Sequence, residues 1–284
     1  MGVESTLRTL VLRTGLHRWR VVASAYRLMS QLRYRNRWDQ PVSFRGAQFV
    51  IGRDLSLYPA VRKGWFESEE IDVLLARVAP ADTIWDVGGN VGLYSVLLAR
   101  AAADGQVVAF EPVPASRERL LDNLERNAVT NVTVEPLALS DEDGSAWMQL
   151  NLDAHGCDRI VTGDVPTEAR DGLKVVTVRG TTYAARSPLG DPGVIKVDIE
   201  GHEPEFIRGA WDVISRRRPT LMMEVNPSTW TAPGRYEVWD ATLRQLFSLY
   251  GEGEWFEPSG VQRVSSVDVH ALEPGLYTLI FAVA

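Results

Sequence analysis

The stretch Ile84-Trp85-Asp86-Val87-Gly88-Gly89-Asn90-Val91-Gly92-Leu93 decides the fold of this chain. It predicts an apolar strand that ends in an acidic residue and a glycine turn, followed by an amphipathic helix from about residue 93 to 104. A second apolar strand follows and ends in Glu111. In a parallel α/β unit, glycines let the backbone approach a ligand closely, and a carboxylate ending the second strand can accept hydrogen bonds from both ribose hydroxyls. The pattern therefore predicts a nucleoside-binding site.

The spacing of the glycines separates two classes of nucleoside cofactor. The dinucleotide fingerprint requires glycines at its first, third and sixth positions. Counting from Gly88 places Asn90 and Leu93 at the third and sixth positions, and counting from Gly89 fails in the same way. S-adenosylmethionine has no pyrophosphate, and its ammonium and sulfonium charges favour nearby acidic residues such as Asp86. The spacing favours this cofactor over NAD, with a glycine turn that binds nothing as the alternative.

Composition indicates one main domain of an enzyme. A chain of 284 residues with 45% apolar residues can bury a full core. Its apolar runs are too short to span a bilayer, and the N-terminal segment lacks the apolar core of a signal peptide. The single Cys157 excludes an internal disulfide and suits a reducing compartment, so we expect a cytoplasmic protein. With four histidines and no Cys/His spacing pattern, a structural zinc site is not expected.

The N-terminal segment differs from the rest in charge. Residues 1–45 hold nine arginines but only Glu4 and Asp39 as acids, although the whole chain has a net charge of −7. Apolar residues repeat at helical spacing with a break at Gly15, which predicts a basic amphipathic helical extension. We expect it to pack on the main domain or on a second subunit of a homo-oligomer; the alternatives are a lid and an anionic membrane or nucleic-acid surface. No basic groove with interleaved aromatic residues follows, so no nucleic-acid partner is expected.

Residues 46–284 alternate strands and helices, as a parallel sheet requires. Strands are predicted near 131–139, 146–152, 174–179, 194–198, 220–225, 254–257 and 276–283, and helices near 116–127, 204–214 and 235–249. Residues 146–182, which include a polar loop at 153–172, are predicted to be an insertion in this domain. Because long loops in compact folds are often functional, we expect the insertion to lie near a substrate.

The segment Ile195-Lys196-Val197-Asp198-Ile199-Glu200-Gly201-His202-Glu203 reveals a family resemblance. Together with the motifs at 86–92, 109–112, 138–141 and 221–225, it closely resembles the FkbM family of S-adenosylmethionine-dependent methyltransferases over about residues 64–226. The resemblance implies a Rossmann-like class I methyltransferase fold, an α/β fold with a seven-stranded, mostly parallel sheet whose last strand is antiparallel. It also implies methylation of an oxygen atom on a small natural product, sugar or carboxylic acid.

Ligands of such sheets bind outside the carboxyl ends of the parallel strands, so acidic residues far apart in sequence should converge there. We expect Asp86 and the glycine loop at the methionine end of the cofactor, Glu111 at the ribose, and Asp141 or the backbone near Leu139 at the adenine. Tyr94 lines the methionine moiety or belongs to the core. The predicted cofactor-binding residues are Asp86, Gly88, Asn90, Gly92, Tyr94, Glu111, Pro112, Leu139, Asp141 and Asp198.

Two residues are candidates for catalysis. Asp198 ends a central apolar strand, where an acid is costly unless it is paired or faces a cleft. His202 follows it, and a neutral imidazole there can take a proton from a substrate hydroxyl, although residues in this stretch also cap the next helix. Asp198, Glu224 and Asn226 form a possible site for a divalent metal such as magnesium. A nicotinamide-dependent oxidoreductase and a non-catalytic cofactor-binding module remain the alternatives.

Overall fold

The computed structural model of the chain describes residues 33–34, 37–151, 158–160, 172–257 and 259–283. The helices predicted for the basic extension lie almost wholly outside these residues, as do Cys157 and most of the polar loop at 153–172. Within the predicted extension, residues 42–44 form a strand, so helix does not continue to residue 45. No helix of the described residues is long and apolar enough to cross a membrane.

The described chain forms strands and helices in alternation. The strands are β1 (Val42–Phe44), β2 (Ala47–Phe49), β3 (Thr83–Val87), β4 (Gln106–Phe110), β5 (Val132–Glu135), β6 (Ala138–Ser140), β7 (Gly144–Gln149), β8 (Arg159–Ile160), β9 (Leu173–Arg179), β10 (Val194–Val197), β11 (Thr220–Val225), β12 (Gly253–Glu257), β13 (Gly260–Val264) and β14 (Tyr277–Phe281). The helices are α1 (Leu57–Arg62), α2 (Ser68–Leu75), α3 (Leu93–Ala101), α4 (Pro114–Arg126), α5 (Gly180–Arg186), α6 (Glu203–Arg217) and α7 (Arg235–Tyr250).

The large sheet has the order β13-β12-β14-β11-β10-β3-β4-β5. Strands β5, β4, β3, β10 and β11 pair in parallel, and the last strand, β14, lies antiparallel between β11 and β12. The predicted α/β fold with an antiparallel last strand is confirmed, but the predicted count of seven is wrong, because β13 adds an eighth strand. β13 is an edge strand whose residues are mostly exposed, so it lacks the apolar pattern by which the other strands were identified.

The single strand predicted at 131–139 is two strands in two sheets. β5 closes the large sheet, whereas β6 starts a four-stranded sheet with the order β6-β9-β7-β8. Pro136 lies between them, and a proline has no N–H group to donate to a strand ladder, so the first strand ends there. This small sheet is formed by residues of the predicted insertion and by those just before it.

Helices cover both faces of the large sheet. Side chains alternate along β3, so Ile84 joins one apolar cluster with α3 and α4, and Trp85 joins the other with α6 and α7. Both clusters are composed of fully buried aliphatic and aromatic residues. The packed core therefore holds the carboxyl ends of β3, β4 and β10 next to one another.

Candidate active site

A cavity opens at the carboxyl ends of β3, β4 and β10. Six residues predicted for the site line it, namely Gly88, Asn90, Glu111, Pro112, Leu139 and Asp198. The N–H groups of Gly88 and Gly89 both donate to the carbonyl of Phe110, at 3.1 and 3.0 Å, which ties the glycine turn to β4. Gly88 has φ +84°, and a Cβ there would lie 2.0 Å from the backbone oxygen of Asp198. A side chain at position 88 is therefore excluded.

Glu111 presents a buried carboxylate to this cavity. Its Oε2 accepts a hydrogen bond from the backbone N–H of Asn90, and its Oε1 accepts one from Val113, both at 2.8 Å. Burial raises the pKa of Glu111 to about 7, although the two backbone bonds act against the rise. Each Glu111 carboxylate oxygen still has a lone pair that can accept a further hydrogen bond, so the two oxygens together can accept from two neighbouring hydroxyl groups. The side-chain oxygen of Asn90 is also buried, and no described residue donates to it.

The opposite wall of the cavity comes from the small sheet. Leu139 of β6, Met148 of β7 and Ile160 of β8 line it, together with Asp158 just before β8. Sequence analysis placed the insertion near a substrate but identified neither Met148 nor Asp158. The small sheet thus supplies a largely apolar wall that contains one carboxylate.

Asp86 does not line the cavity but lies in a buried ion-pair network. Its side chain is fully buried, accepts a hydrogen bond from Ser95 Oγ at 2.6 Å, and lies 3.6 Å from Lys196 Nζ. Lys196 also donates to the carbonyl of Gly88 at 3.1 Å and lies 3.5 Å from Asp198. Burial lowers the pKa of the Lys196 ammonium, but the charges of Asp198 and Asp86 outweigh it and raise the pKa. Lys196 thereby connects the glycine turn to two strand-end acids.

Tyr94 is a buried residue of the first turn of α3 and does not line the cavity either. Its ring lies beneath Lys196, with Nζ 5.0 Å from the ring centroid, and its hydroxyl donates to Glu67. Burial and the nearby charge of Asp198 raise the pKa of Glu67 to about 7. Gly92, at the N-terminus of the same helix, has φ +85° and packs on Leu120. Tyr94 and Gly92 thus pack next to the site without lining the cavity.

Three carboxylates meet beside the cavity, and two of them, Asp198 and Glu200, line it. Oxygens of Asp198, Glu200 and Glu224 lie within 4.8 Å of one another. Asn226, predicted as a metal ligand, is directed elsewhere, since its Oδ1 accepts from the Ser228 N–H at 3.2 Å. Burial and the charges of Asp198 and Glu200 raise the pKa of Glu224 well above the usual range. The arrangement is suited to a shared proton or to a divalent cation.

His202 and Asp141 are engaged with other residues at the edge of the site. His202 is 5% exposed, with Nε2 2.9 Å from Ser140 Oγ and Nδ1 3.6 Å from Glu205. Burial lowers its pKa, so the ring is neutral. Asp141 accepts from Arg208 at 2.9 Å; burial opposes its charge, but these bonds outweigh it and lower its pKa. Neither residue lines the cavity, and the roles predicted for them stay predictions.

Sequence reasoning missed Lys196, Glu67, Glu200 and Asp158. Lys196 carried a usable signal, because a lysine in the middle of the apolar strand Val194–Val197 must have a buried anionic partner. Asp158 carried none, because its segment is polar and its neighbours in sequence show no periodicity. Glu67 and Glu200 share a backbone feature that only the structure reveals, since both adopt a positive φ next to the site.

Known methyltransferases resemble this chain over about half of its length. The family model described as the Methyltransferase FkbM domain matches residues 86–247. The hexuronic acid methyltransferase AglP of Haloferax volcanii is 31% identical over 144 residues, which are 50% of this chain and 56% of that protein. Methyltransferase 1 of Beauveria bassiana is 25% identical over 151 residues, 46% of this chain and 61% of that protein. The chain thus spans less than two thirds of the length of these relatives.

Two further similarities are weaker. The 31-O-demethyl-FK506 methyltransferase FkbM of Streptomyces tacrolimicus is 25% identical over 181 residues, 53% of this chain and 67% of that protein. Among solved structures, methyltransferase FkbM from Methylobacillus flagellatus KT aligns with a TM-score of 0.44 and 15% identity, over 72% of this chain and 44% of that chain.

Proposed function

The chain belongs to the FkbM methyltransferase family, and we propose that it transfers a methyl group from S-adenosylmethionine to an oxygen atom of a small hydroxylated acceptor. The observation that carries the proposal is the position of Glu111. Its carboxylate is held by two backbone N–H groups at the end of β4 and lines the cavity beside the glycine turn. A carboxylate in this place is suited to accept hydrogen bonds from both ribose hydroxyls of a nucleoside.

The remaining groups of the cavity fit this cofactor. A ribose at Glu111 directs the purine towards the small-sheet wall and the amino acid part towards Gly88 and Asn90. The buried Asn90 oxygen and the Asp198 carboxylate are acceptors for an ammonium group. A positive sulfonium is favoured near the acids of the strand ends. When bound, the cofactor supplies an electrophilic methyl group, which an acceptor oxygen takes by in-line displacement.

Asp198 is our candidate for the group that accepts the proton of the acceptor hydroxyl. It lines the cavity at the end of β10, and its side chain is 31% exposed, so an acceptor can reach it. Lys196, 3.5 Å away, balances its charge. Burial and the charges of Asp198 and Glu200 raise the pKa of Glu224, so its side chain is suited to share a proton with Asp198. The Asp198 carboxylate, which lines the cavity, then accepts from the incoming hydroxyl.

A divalent cation bound by these carboxylates is the alternative to a shared proton. Oxygen ligands from Asp198, Glu200 and Glu224 suit magnesium or calcium, and Glu200 takes the position that the sequence predicted for Asn226. A bound cation would orient an acceptor diol and lower the pKa of its hydroxyl. Turnover measured after exhaustive chelation and after return of magnesium distinguishes the two: unchanged turnover favours the shared proton, and restored turnover favours the cation.

A sugar is the acceptor class that we propose. The relative AglP is named a hexuronic acid methyltransferase, and it matches half of this chain. The acidic cluster opposes a free carboxylate and favours hydroxyl groups, which donate hydrogen bonds to it. The hydroxyl groups of the sugar, rather than any carboxylate that it carries, should therefore face this cluster.

Calorimetric titration with S-adenosylmethionine and S-adenosylhomocysteine tests the cofactor. Replacing Glu111 with Ala removes a charge-assisted contact, which is worth about 1.5–3 kcal/mol, or about ten-fold or more in Kd. Glu135→Ala, whose carboxylate accepts from Tyr183 Oη at 3.0 Å, is the matched control. Equal affinity in the Glu111→Ala variant and the unaltered chain would refute the assignment.

The acceptor is tested with isotope-labelled cofactor and a panel of neutral sugars, uronic acids and hydroxylated metabolites. Transfer to a sugar hydroxyl supports the proposal. Cofactor binding without transfer to any class of acceptor would instead support the non-catalytic module that the sequence left open.

A further inference from the structure

One carboxylate that no motif assigns faces the nucleoside end of the cavity. Asp158 is 8% exposed and lines the cavity together with Glu111. The two acids interact electrostatically, and the charge of Asp158 adds to the rise in the pKa of Glu111.

The small sheet holds Asp158 in place. Its Oδ1 accepts a hydrogen bond from the backbone N–H of Asn151 at 2.5 Å. β8 pairs with β7 so that Ile160 lies opposite Met148. Asp158 directly precedes β8 and, like Ile160, lines the cavity. The hydrogen bond from Asn151 and the pairing of the adjacent strand therefore position the carboxylate.

The chemistry around Asp158 matches a purine base. Val113, Leu139, Met148 and Ile160 line this part of the cavity with apolar atoms suited to the faces of a flat ring. Adenine differs from other purines by an amino group at its 6 position, which is a hydrogen-bond donor. An ionised carboxylate only accepts hydrogen bonds, so it favours that donor and disfavours a carbonyl oxygen at the same place.

Asp141, the residue that the sequence predicted for the adenine, is engaged elsewhere. Two nitrogens of Arg208 donate to its Oδ2, at 2.9 and 3.2 Å, and it does not line the cavity. The same ion pair attaches the end of β6 to α6. Asp141 thus contributes to the support of the small sheet.

We propose that Asp158 recognises the 6-amino group of the adenine and that the small sheet, through this residue, determines the base specificity of the cofactor site. The proposal rests on the proposed function, because it assumes that the cavity takes S-adenosylmethionine with its ribose at Glu111. It adds a specificity-determining residue that directly precedes β8, outside the motifs of the strand ends.

The test measures base discrimination by calorimetry and requires no acceptor. The ligands are S-adenosylhomocysteine and its analogue with unsubstituted purine, which lacks only the 6-amino group. The unaltered chain should bind the adenine compound about ten-fold or more tightly than the purine compound, as expected for a hydrogen bond to a charged group. Asp158→Ala should bind both with similar affinity, and Asp158→Asn, whose side-chain oxygen still accepts, should retain part of the preference.

Glu135→Ala is the matched control, since its carboxylate accepts from Tyr183 Oη and does not line the cavity. It should keep the full preference for adenine. An unaltered preference in Asp158→Ala, with S-adenosylhomocysteine still bound, would overturn this inference and leave the proposed function standing. Failure of the unaltered chain to bind S-adenosylhomocysteine would overturn both. Thermal unfolding of each variant verifies that it is folded during the titration.

Discussion

Lys196→Met tests whether the buried cation holds the site together. Lys196 is 4% exposed and lies 3.6 Å from Asp86, which is fully buried. Removing one partner of a buried ion pair leaves the other charge uncompensated, at a cost of about 3–5 kcal/mol. In a domain of this size, a loss of that amount lowers Tm on the order of 10 °C. The variant also loses the hydrogen bond to the Gly88 carbonyl.

The loss should depend on pH. Burial already raises the pKa of Asp86, and Lys196 is the largest influence that lowers it. Without Lys196 the folded-state pKa of Asp86 rises further above the unfolded value, so its contribution to stability is present at low pH and is lost as pH rises through the folded pKa. The difference in the free energy of unfolding between variant and unaltered chain should therefore be largest at neutral and alkaline pH and smaller near pH 5.

Urea denaturation at several pH values measures this difference. The double variant Lys196→Met with Asp86→Asn removes both charges and should recover much of the loss at neutral pH. Arg216→Met is the matched control, because Arg216 pairs with Asp191 at 2.8 Å on the surface, where such pairs contribute about 0–1 kcal/mol. If Lys196→Met were as stable as the control, or if the double variant were no more stable than the single one, the reasoning would be refuted.

Three further outcomes are expected from single changes. The pKa of Glu111 is about 7 in the folded chain and 4.5 for an unperturbed glutamate, so its contribution to stability is complete below pH 4.5 and is lost as pH rises through 7. Glu111→Gln should remove about 3 kcal/mol of this pH-dependent loss, as denaturant titrations of the ligand-free chain can measure. Gly88→Ala, whose Cβ would lie 2.0 Å from the Asp198 oxygen, should destabilise the fold on the order of 3 kcal/mol and weaken cofactor binding, as thermal melts and calorimetry can determine. His202→Ala should lower stability by about 1–2 kcal/mol through its lost contact with Ser140, while turnover keeps its pH profile; a fall of about 10²–10⁴-fold with a changed profile would identify His202 as the base.

The glycine turn, Glu111 and the apolar strands were predictable because each depends on residues that are neighbours in sequence. The backbone at position 88 has a positive φ, which favours glycine, and Glu111 follows a strand that is recognisable in the sequence by its run of apolar residues. The alternation of these elements also predicted the parallel core, and the family resemblance implied the antiparallel last strand. Pro136 marks the point at which the strand predicted at 131–139 divides into β5 and β6.

The direction of each side chain was decided by contacts between distant segments. Asp86 and Asp198 both close apolar strands, yet Asp86 is buried with Lys196 whereas Asp198 faces the cavity. Asp141 pairs with Arg208, and Asn226 caps the turn at Ser228, so neither reaches the position that its strand end suggested.

The sequence by itself determined the α/β fold, the family, and the glycine turn and Glu111 at the strand ends, because strand ends and turns are encoded locally. Only the tertiary structure decided which acids lie together. Glu200 clusters with Asp198 and Glu224 beside the cavity, and Asp158 lines the cavity from a separate sheet. Which buried charged groups pair with each other depends on their distances and burial in the folded chain, and these cannot be read from residue spacing in the sequence.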